Sequence, residues 1–485
     1  MRWIVLAALS LWTTGCLARP ASTPTPPAAT DSEFATATED LDRAARAIAP
    51  EVAVLDLGHA RRIFDEAYAG VDGRPRTPSR AALEAARARL LDQPRVEPRA
   101  FATLLRQLFW QPDGHLAFGW GGSSPLRLLA KSSLDVSISA PIVDRIDASG
   151  AWVRGGRLRG CDEPTLLATP EGRYALGVFQ PHASAELNCR IEQLDGSSRD
   201  LTLALRRAVL PPSGQATGAA VELEPGEVPT LAIRTFDNAA EAELRELPRM
   251  ARYLRDQPAF IVDLRGNSGG NYAFAEPFLL ELTNTELRRL DEREVLSVAA
   301  AEGRANSVRH RMARGDVPTS ARPWLLAQLE ALERTAARLR ERGAGRTEIS
   351  TLGASIRGTA PHRLRSRAVF LVDRRCASAC EMMLALARQI PGVIVAGENT
   401  RGGMVAGELA LFRLPHSGIT ISLGTRAFHD PLGDFSEARG FLPDLWIDGS
   451  EGPPVVRAAE IALGSFRPDE RAPKPSLATA RSEHR

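Results

Sequence analysis

The chain has 485 residues, 44% of them hydrophobic and 25% charged, which excludes a disordered tail-like protein and leaves room for two or three globular domains. Its 61 basic residues stand against 59 acidic ones, a net charge of +2, so no charge excess argues for a nucleic-acid partner.

The chain opens on "MRWIVLAALSLWTTGC", with one charge, Arg2, and an apolar run from Trp3 to Trp12. That run is too short to span a bilayer as a mature helix and reads as a signal peptide over residues 1–16. Thr13, Thr14 and Gly15 before Cys16 resemble a bacterial lipoprotein signal. This implies lipidation of Cys16 and a membrane anchor at the new N-terminus. Simple secretion is the alternative. Leu17 after the cysteine points, by the same resemblance, to the outer membrane on the periplasmic side. Residues 17–35 are a Pro/Thr/Ala-rich tether, extended and unpacked.

Residues 36–130 form an expected N-terminal helical region. Phe101, Leu104, Leu105, Leu108 and Phe109 fall on one helical face, and the pattern stops at "WQPDGH", where Pro112 and Gly114 break it. Residues 131–218 alternate in short runs between Gly/Asp/Ser turns, which predicts a small β-rich domain. Residues 226–466 repeat strand, loop and helix, an α/β core. Its runs "AFIVDL" and "AVFLVD" lack alternation and predict strands covered on both faces. Residues 290–350 interrupt this core and read as an inserted helical hairpin, a brace by default and a lid as the weaker reading. The tail 467–485 is polar and expected to be disordered.

With Cys16 lipidated, four cysteines remain. Cys161 with Cys189 is the expected disulfide, with two buried thiols as the alternative. Cys376 and Cys380 have neither a thioredoxin nor a zinc spacing. Their expected role is to pack the turn between them. A local disulfide requires that Cys376 precede the helix, because i and i+4 cysteines bridge poorly within one.

Two motifs carry chemistry. "AFIVDLRGNSGGN" runs a buried strand into a glycine-rich turn, where backbone N–H groups approach a ligand closely. It lacks a nucleotide-binding spacing. "VDRRCASACEMM" runs a strand into a helix start. Ser378 and Glu381 have capping-box spacing, so Ser378 reads as a cap. The same geometry would present its hydroxyl at the sheet edge beside a helix N-terminus, which suits a nucleophile.

Together these motifs resemble a known family of serine peptidases. It includes the C-terminal-processing (tail-specific) proteases, the tricorn core and the interphotoreceptor retinoid-binding proteins. "IVDLRGNSGG", "VFLVDRRCASACE", "VIVAGENTRGG" and "GFLPDLWI" occur in the family's order, and "VPTLAIRTF" resembles the strand that opens its core. The resemblance covers roughly 226–285 and 360–450, plus one upstream point. It implies a crotonase-like α/β core, hydrolysis of peptide bonds without metal or cofactor, and a peptide or protein substrate bound extended.

The processing proteases use a serine–lysine dyad. Here the lysine position is Gly403, Arg401 cannot act as a base, and the nearest lysines are Lys131 and Lys474. The tricorn-like branch uses serine, histidine and glutamate. "DGHLAF" resembles its histidine motif and "SEARGFLPD" its glutamate position, which implies Ser378 as nucleophile, His115 as base and Glu437 as orienting acid. Gly269 or Gly270, with Ala379, would form the oxyanion hole. Taken singly, His115 is a turn histidine and Glu437 a loop charge, and His429 beside Asp430 is a rival base. Two other functions stay open: a lipid-anchored binding protein on a peptidase-like scaffold, and an envelope interaction module docking through its helical insert. The oligomeric state is not legible.

Overall fold

The computed structural model describes residues 34–36, 44–71, 77–109, 111, 113–119, 218–313, 317, 319, 321–435, 437, 440–447 and 453–464. Between 120 and 217 it describes residue 197 and the strands named below. Cys16, Cys161, the signal sequence, tether residues 17–33 and the C-terminal tail lie outside the described residues; the end of the expected tether is packed rather than free, because Phe34 is buried in the apolar cluster of the N-terminal helices.

Three helices come first: α1 (Pro50–Ala67), α2 (Arg80–Leu91) and α3 (Pro98–Leu108). Proline opens α1 and α3 in the first turn, where its missing N–H costs nothing. Along α1, Ala53, Leu57, Ala60, Ile63, Phe64 and Ala67 recur every three or four residues and are buried. On α3 the expected face forms: Phe101, Leu104 and Leu105 are buried, as is Phe109 just beyond its end. The helices end before "WQPDGH", as the pattern does, but β1 (Ala117–Gly119) and the first residues of β2 (Leu128–Val136) fall inside the 36–130 region expected to be helical.

Strand β2 belongs to a seven-stranded antiparallel sheet with β3 (Ile142–Val143), β4 (Gly156–Arg159), β5 (Thr165–Ala168), β6 (Tyr174–Gln180), β7 (Glu186–Glu192) and β8 (Ser198–Arg207). Its order is β3-β4-β7-β8-β2-β6-β5. Cys189 lies on β7.

The α/β core follows. β9 (Val221–Glu224), β10 (Thr230–Ile233), α4 (Leu247–Arg255), β11 (Ala259–Asp263) and α5 (Ala275–Leu282) lead to a small hairpin strand, β12 (Glu286–Arg288). β13 (Asp291–Leu296), α6 (Val298–Ala313), α7 (Arg322–Glu341) and β14 (Thr347–Thr351) come next, then β15 (Ser355–Arg357), which pairs with β12. The chain continues through β16 (Arg367–Val372), α8 (Ala379–Ala387), β17 (Val393–Gly397), β18 (Ala406–Arg413), β19 (Thr420–His429), β20 (Leu445–Trp446) and α9 (Pro454–Leu463).

The central sheet has the order β20-β17-β16-β11-β10-β9, parallel except for the edge strand β9. Phe260, Val262, Phe370 and Val372 pack on the side of α4, α5 and α8. Their neighbours Ile261, Val369 and Leu371 pack on the side of α9. This two-sided burial is why β11 and β16 read as unbroken apolar runs.

A second, antiparallel sheet runs β1-β19-β13-β14, with β18 also on β19. The helices α6 and α7 of the insertion are therefore framed by β13 and β14, which pair with each other and hold the insertion to the core. The N-terminal helices share one apolar cluster with this sheet, from Ile63, Phe64 and Phe109 to Phe412, Ile421 and Leu423.

Candidate active site

Between β16 and α8 the chain makes a tight turn, anchored by Asp373, whose carboxylate accepts from Arg375 N at 2.9 Å and Gly266 N at 3.0 Å. Ser378 stands immediately before α8 at φ +55 and ψ −117, a backbone state that a residue with a Cβ holds only when its surroundings impose it. It is half-buried between buried Ala377 and Ala379. Its backbone N donates to Glu381 Oε2 at 3.1 Å, the reciprocal bond of a capping box. Cap position and strained elbow thus coexist in one residue. Cys376 and Cys380 are joined by a disulfide, with Cα atoms 5.3 Å apart. Passive packing is therefore not their role. The bridge forms because α8 begins at Ala379, so Cys376 lies outside the helix.

The glycine turn after β11 presses on this elbow. Asn267 is fully buried: its side-chain N donates to Ile233 O at 3.0 Å, its Oδ1 accepts from Gly269 N at 2.9 Å, and its backbone O accepts from Ala377 N at 3.2 Å. Gly269 sits at φ +102, and a Cβ there would lie 2.7 Å from Ala377 O and 2.9 Å from Ser378 Cβ. Gly270, at φ +137, bridges to Phe236 so closely that a Cβ would meet the Phe236 carbonyl at 2.3 Å. The turn's base is Asp263, paired with Arg234 at 2.7 Å and Arg265 at 2.8 Å. Burial works to raise its carboxyl, and the two guanidiniums outweigh that and hold it below the ordinary value.

Glu381 ties the elbow to the segment after β17. Its buried carboxylate accepts from Thr400 Oγ1 at 2.7 Å, Gly402 N at 2.6 Å and Gly403 N at 2.9 Å, besides Ser378 N. Burial pushes this carboxyl up even against those bonds. Thr400 Oγ1 in turn accepts from Phe441 N at 2.8 Å, which draws in the closing Gly440–Asp444 motif.

His115 arrives from the N-terminal layer. Phe109 and Phe118, on either side of its loop, both pack on Phe64, at 4.5 and 5.8 Å between ring centroids. Buried Asp113 accepts from His115 N at 2.6 Å and Leu116 N at 3.2 Å, and from the Tyr68 hydroxyl at 2.9 Å. The pairing of β1 with β19, Ala117 opposite Ser422, fixes the far end. Glu437 closes the contact: Oε1 accepts from Gly114 N at 2.7 Å, and Oε2 from Met404 N at 3.1 Å and Val405 N at 2.8 Å. Asp113, His115 and Glu437 each place one side-chain nitrogen or oxygen within 4.8 Å of the others. A cation would have to compete there with six N–H and O–H donors already aimed at the two carboxylates, so the two carboxylates fit the task of fixing the His115 loop better than that of holding a metal ion.

The structure thus gathers Ser378, Gly269, Gly270 and Ala379 into one group, His115 and Glu437 into another, and joins the two through residues 400–405. Gly403 is the joint: its N–H is on Glu381, and a Cβ on it would stand 3.9 Å from His115 Cε1. A side chain at the dyad lysine's position would point into the space beside the imidazole. His429 lies on β19 opposite Asp291. Asp430 beside it takes backbone N–H groups from Leu432, Asp434 and Phe435 and serves as a turn anchor. Sequence reasoning missed Asn267, Asp373, Asp113 and the bridging role of Glu381. Asp113, Asn267 and Asp373 each accept from the N–H two residues on, so the local signal each carried was that of an Asx turn.

The sequence profile of peptidase family S41 matches residues 227–447. The core of this chain is an S41 peptidase core. The match spans β10 through β20 and includes the glycine turn, the elbow, Glu381 and Glu437, and the protein is a serine-type peptidase. Among solved structures, mature CPAF in complex with lactacystin is similar at 15% identity over 86% of this chain and 96% of that one, with a TM-score of 0.44. The photosystem II D1 C-terminal processing protease is similar at 16% identity over 85% and 97%, with a TM-score of 0.36. Tricorn protease is similar at 13% identity over 85% of this chain and 36% of its own, with a TM-score of 0.32. None of the curated proteins matches the chain in sequence.

Proposed function

We propose that the peptidase cleaves peptide bonds of protein substrates in the cell envelope through a Ser378–His115–Glu437 acyl-enzyme mechanism. The observation that carries this reading is the Glu437 carboxylate. It grips the His115 loop and residues 404–405 at once, beside a Gly403 that leaves the space in front of the imidazole open. Ser378 Oγ attacks the substrate carbonyl carbon as His115 takes its proton. The tetrahedral oxyanion collapses, the C–N bond breaks, and His115 returns the proton to the leaving amine. Water repeats the sequence and releases the acyl group. Glu437 holds the imidazole in the tautomer that this requires.

Gly269 N is already engaged by Asn267, which favours Gly270 N and Ala379 N, at the first turn of α8, as oxyanion donors. Residues around Gly270 would also pair with an extended substrate strand. The Cys376–Cys380 disulfide supports an oxidising compartment, hence export and a periplasmic location, with Cys16 as the lipid anchor.

Cleavage of fluorescein-labelled casein tests the mechanism. Ser378→Ala and His115→Ala are expected to abolish it. Glu437→Gln should lower kcat about a hundredfold or more, by loss of the orienting acid. Undiminished cleavage by His115→Ala overturns the triad.

A further inference from the structure

We infer that the Cys376–Cys380 disulfide is a positioning device that holds the Ser378 elbow in its reactive conformation. The inference rests on the reading of Ser378 as the nucleophile. Ser378 is one of only two non-glycine residues with positive φ among the described residues. Such a state is strained and relaxes unless neighbouring structure prevents it.

The restraints on either side of Ser378 are unequal. After it, α8 supplies Met382 N to Ser378 O at 2.9 Å and Cys380 N to Ala377 O at 3.1 Å. Before it, the turn rests on Cys376 N to Asp373 O at 3.0 Å, Ala377 N to Asn267 O at 3.2 Å and Cys376 O accepting from Arg401 N at 2.9 Å. These are bonds within and between turns, outside any helix or strand ladder. The disulfide spans the strained residue, from the non-helical turn to the second residue of α8, and closes a loop with only Ala377, Ser378 and Ala379 inside it. So short a covalent ring removes most of the alternative conformations open to the serine.

The bridge is also out of reach. Both cysteines are fully buried in the apolar cluster of α4, α5 and α8. A device of this kind is built for permanence in an oxidising compartment rather than for cycling. It supplements Glu381, which fixes Ser378 N but leaves its φ to the chain.

The test combines kinetics with mapping on the full-length protein. The Cys376→Ala/Cys380→Ala variant, assayed well below its unfolding temperature, should cleave labelled casein with KM within about twofold of the wild type. Its kcat should fall about tenfold or more, with an equal fall in the rate of fluorophosphonate labelling. A folded double variant with kcat within twofold of the wild type overturns the inference. If the variant does not fold, the wild type decides. Its fluorophosphonate-labelled fraction should yield the two cysteines as a linked peptide without reduction, and free thiols at both positions in that fraction overturn the inference. Ser378→Ala separates the two claims, because labelling that survives there sinks the nucleophile reading itself.

Discussion

Gly403 is where the chemistry of this peptidase is decided by what a residue lacks. A Cβ there would sit at ordinary contact distance, 3.8 Å from Gly114 Cα and 3.9 Å from His115 Cε1. Gly403→Ala should therefore keep casein cleavage within about threefold of the wild type. Gly403→Lys would drive a long cation against the imidazole and is expected to lower kcat about tenfold or more. Higher activity in the lysine variant would mean that the site works as a serine–lysine dyad. Ser378, His115 and Glu437 stood out in the sequence as candidates because each lies in a short motif. Their supports were not, because they are contacts between distant segments: Gly266 to Asp373 spans 107 residues and Gly114 to Glu437 spans 323. No local pattern encodes such pairs.

At the scale of elements, β10, β11, β16 and β17 were readable because both of their faces are buried, which leaves runs such as "AFIVD" without polar interruptions. The second sheet was not. β13 is "DEREVL", and only Val295 in it is fully buried, so its sequence looks like a charged linker. Its Arg/Glu pairs, Glu292 and Glu294 with Arg426, replace the apolar signal. That sheet is what seats β1 and hence His115. The glycine turn is the element most sensitive to change. Gly269→Ala would place a Cβ 2.9 Å from Ser378 Cβ at a φ that alanine resists. The fluorophosphonate labelling rate is expected to fall at least about thirtyfold, and a rate unchanged from wild type would show that the turn does not position the serine.

At the scale of the whole molecule, the site lies where an N-terminal helical layer, the second sheet and the parallel core meet, so no one segment of the chain contains it. Stability at acid pH follows from the ion pairs beneath the site. The Asp263 carboxyl is held below the ordinary aspartate value of about 3.9. Its contribution is therefore complete above that value and is lost as pH falls through the lower, folded value. Asp263→Asn removes the carboxylate charge that Arg234 and Arg265 share and should cost about 3 kcal/mol at pH 7. The variant should also lose less stability than the wild type between pH 5 and pH 3, read from urea midpoints. Equal acid slopes would mean that Asp263 does not carry this charge in the fold.

The proposed mechanism makes Ser378 the nucleophile and His115 its base. The most direct measurement is to react the protein with a fluorophosphonate and locate the adduct by peptide mass spectrometry. A single adduct on Ser378 is expected, absent in Ser378→Ala and formed about a hundredfold or more slowly in His115→Ala. Full labelling of Ser378→Ala, or an adduct at another residue, would contradict it.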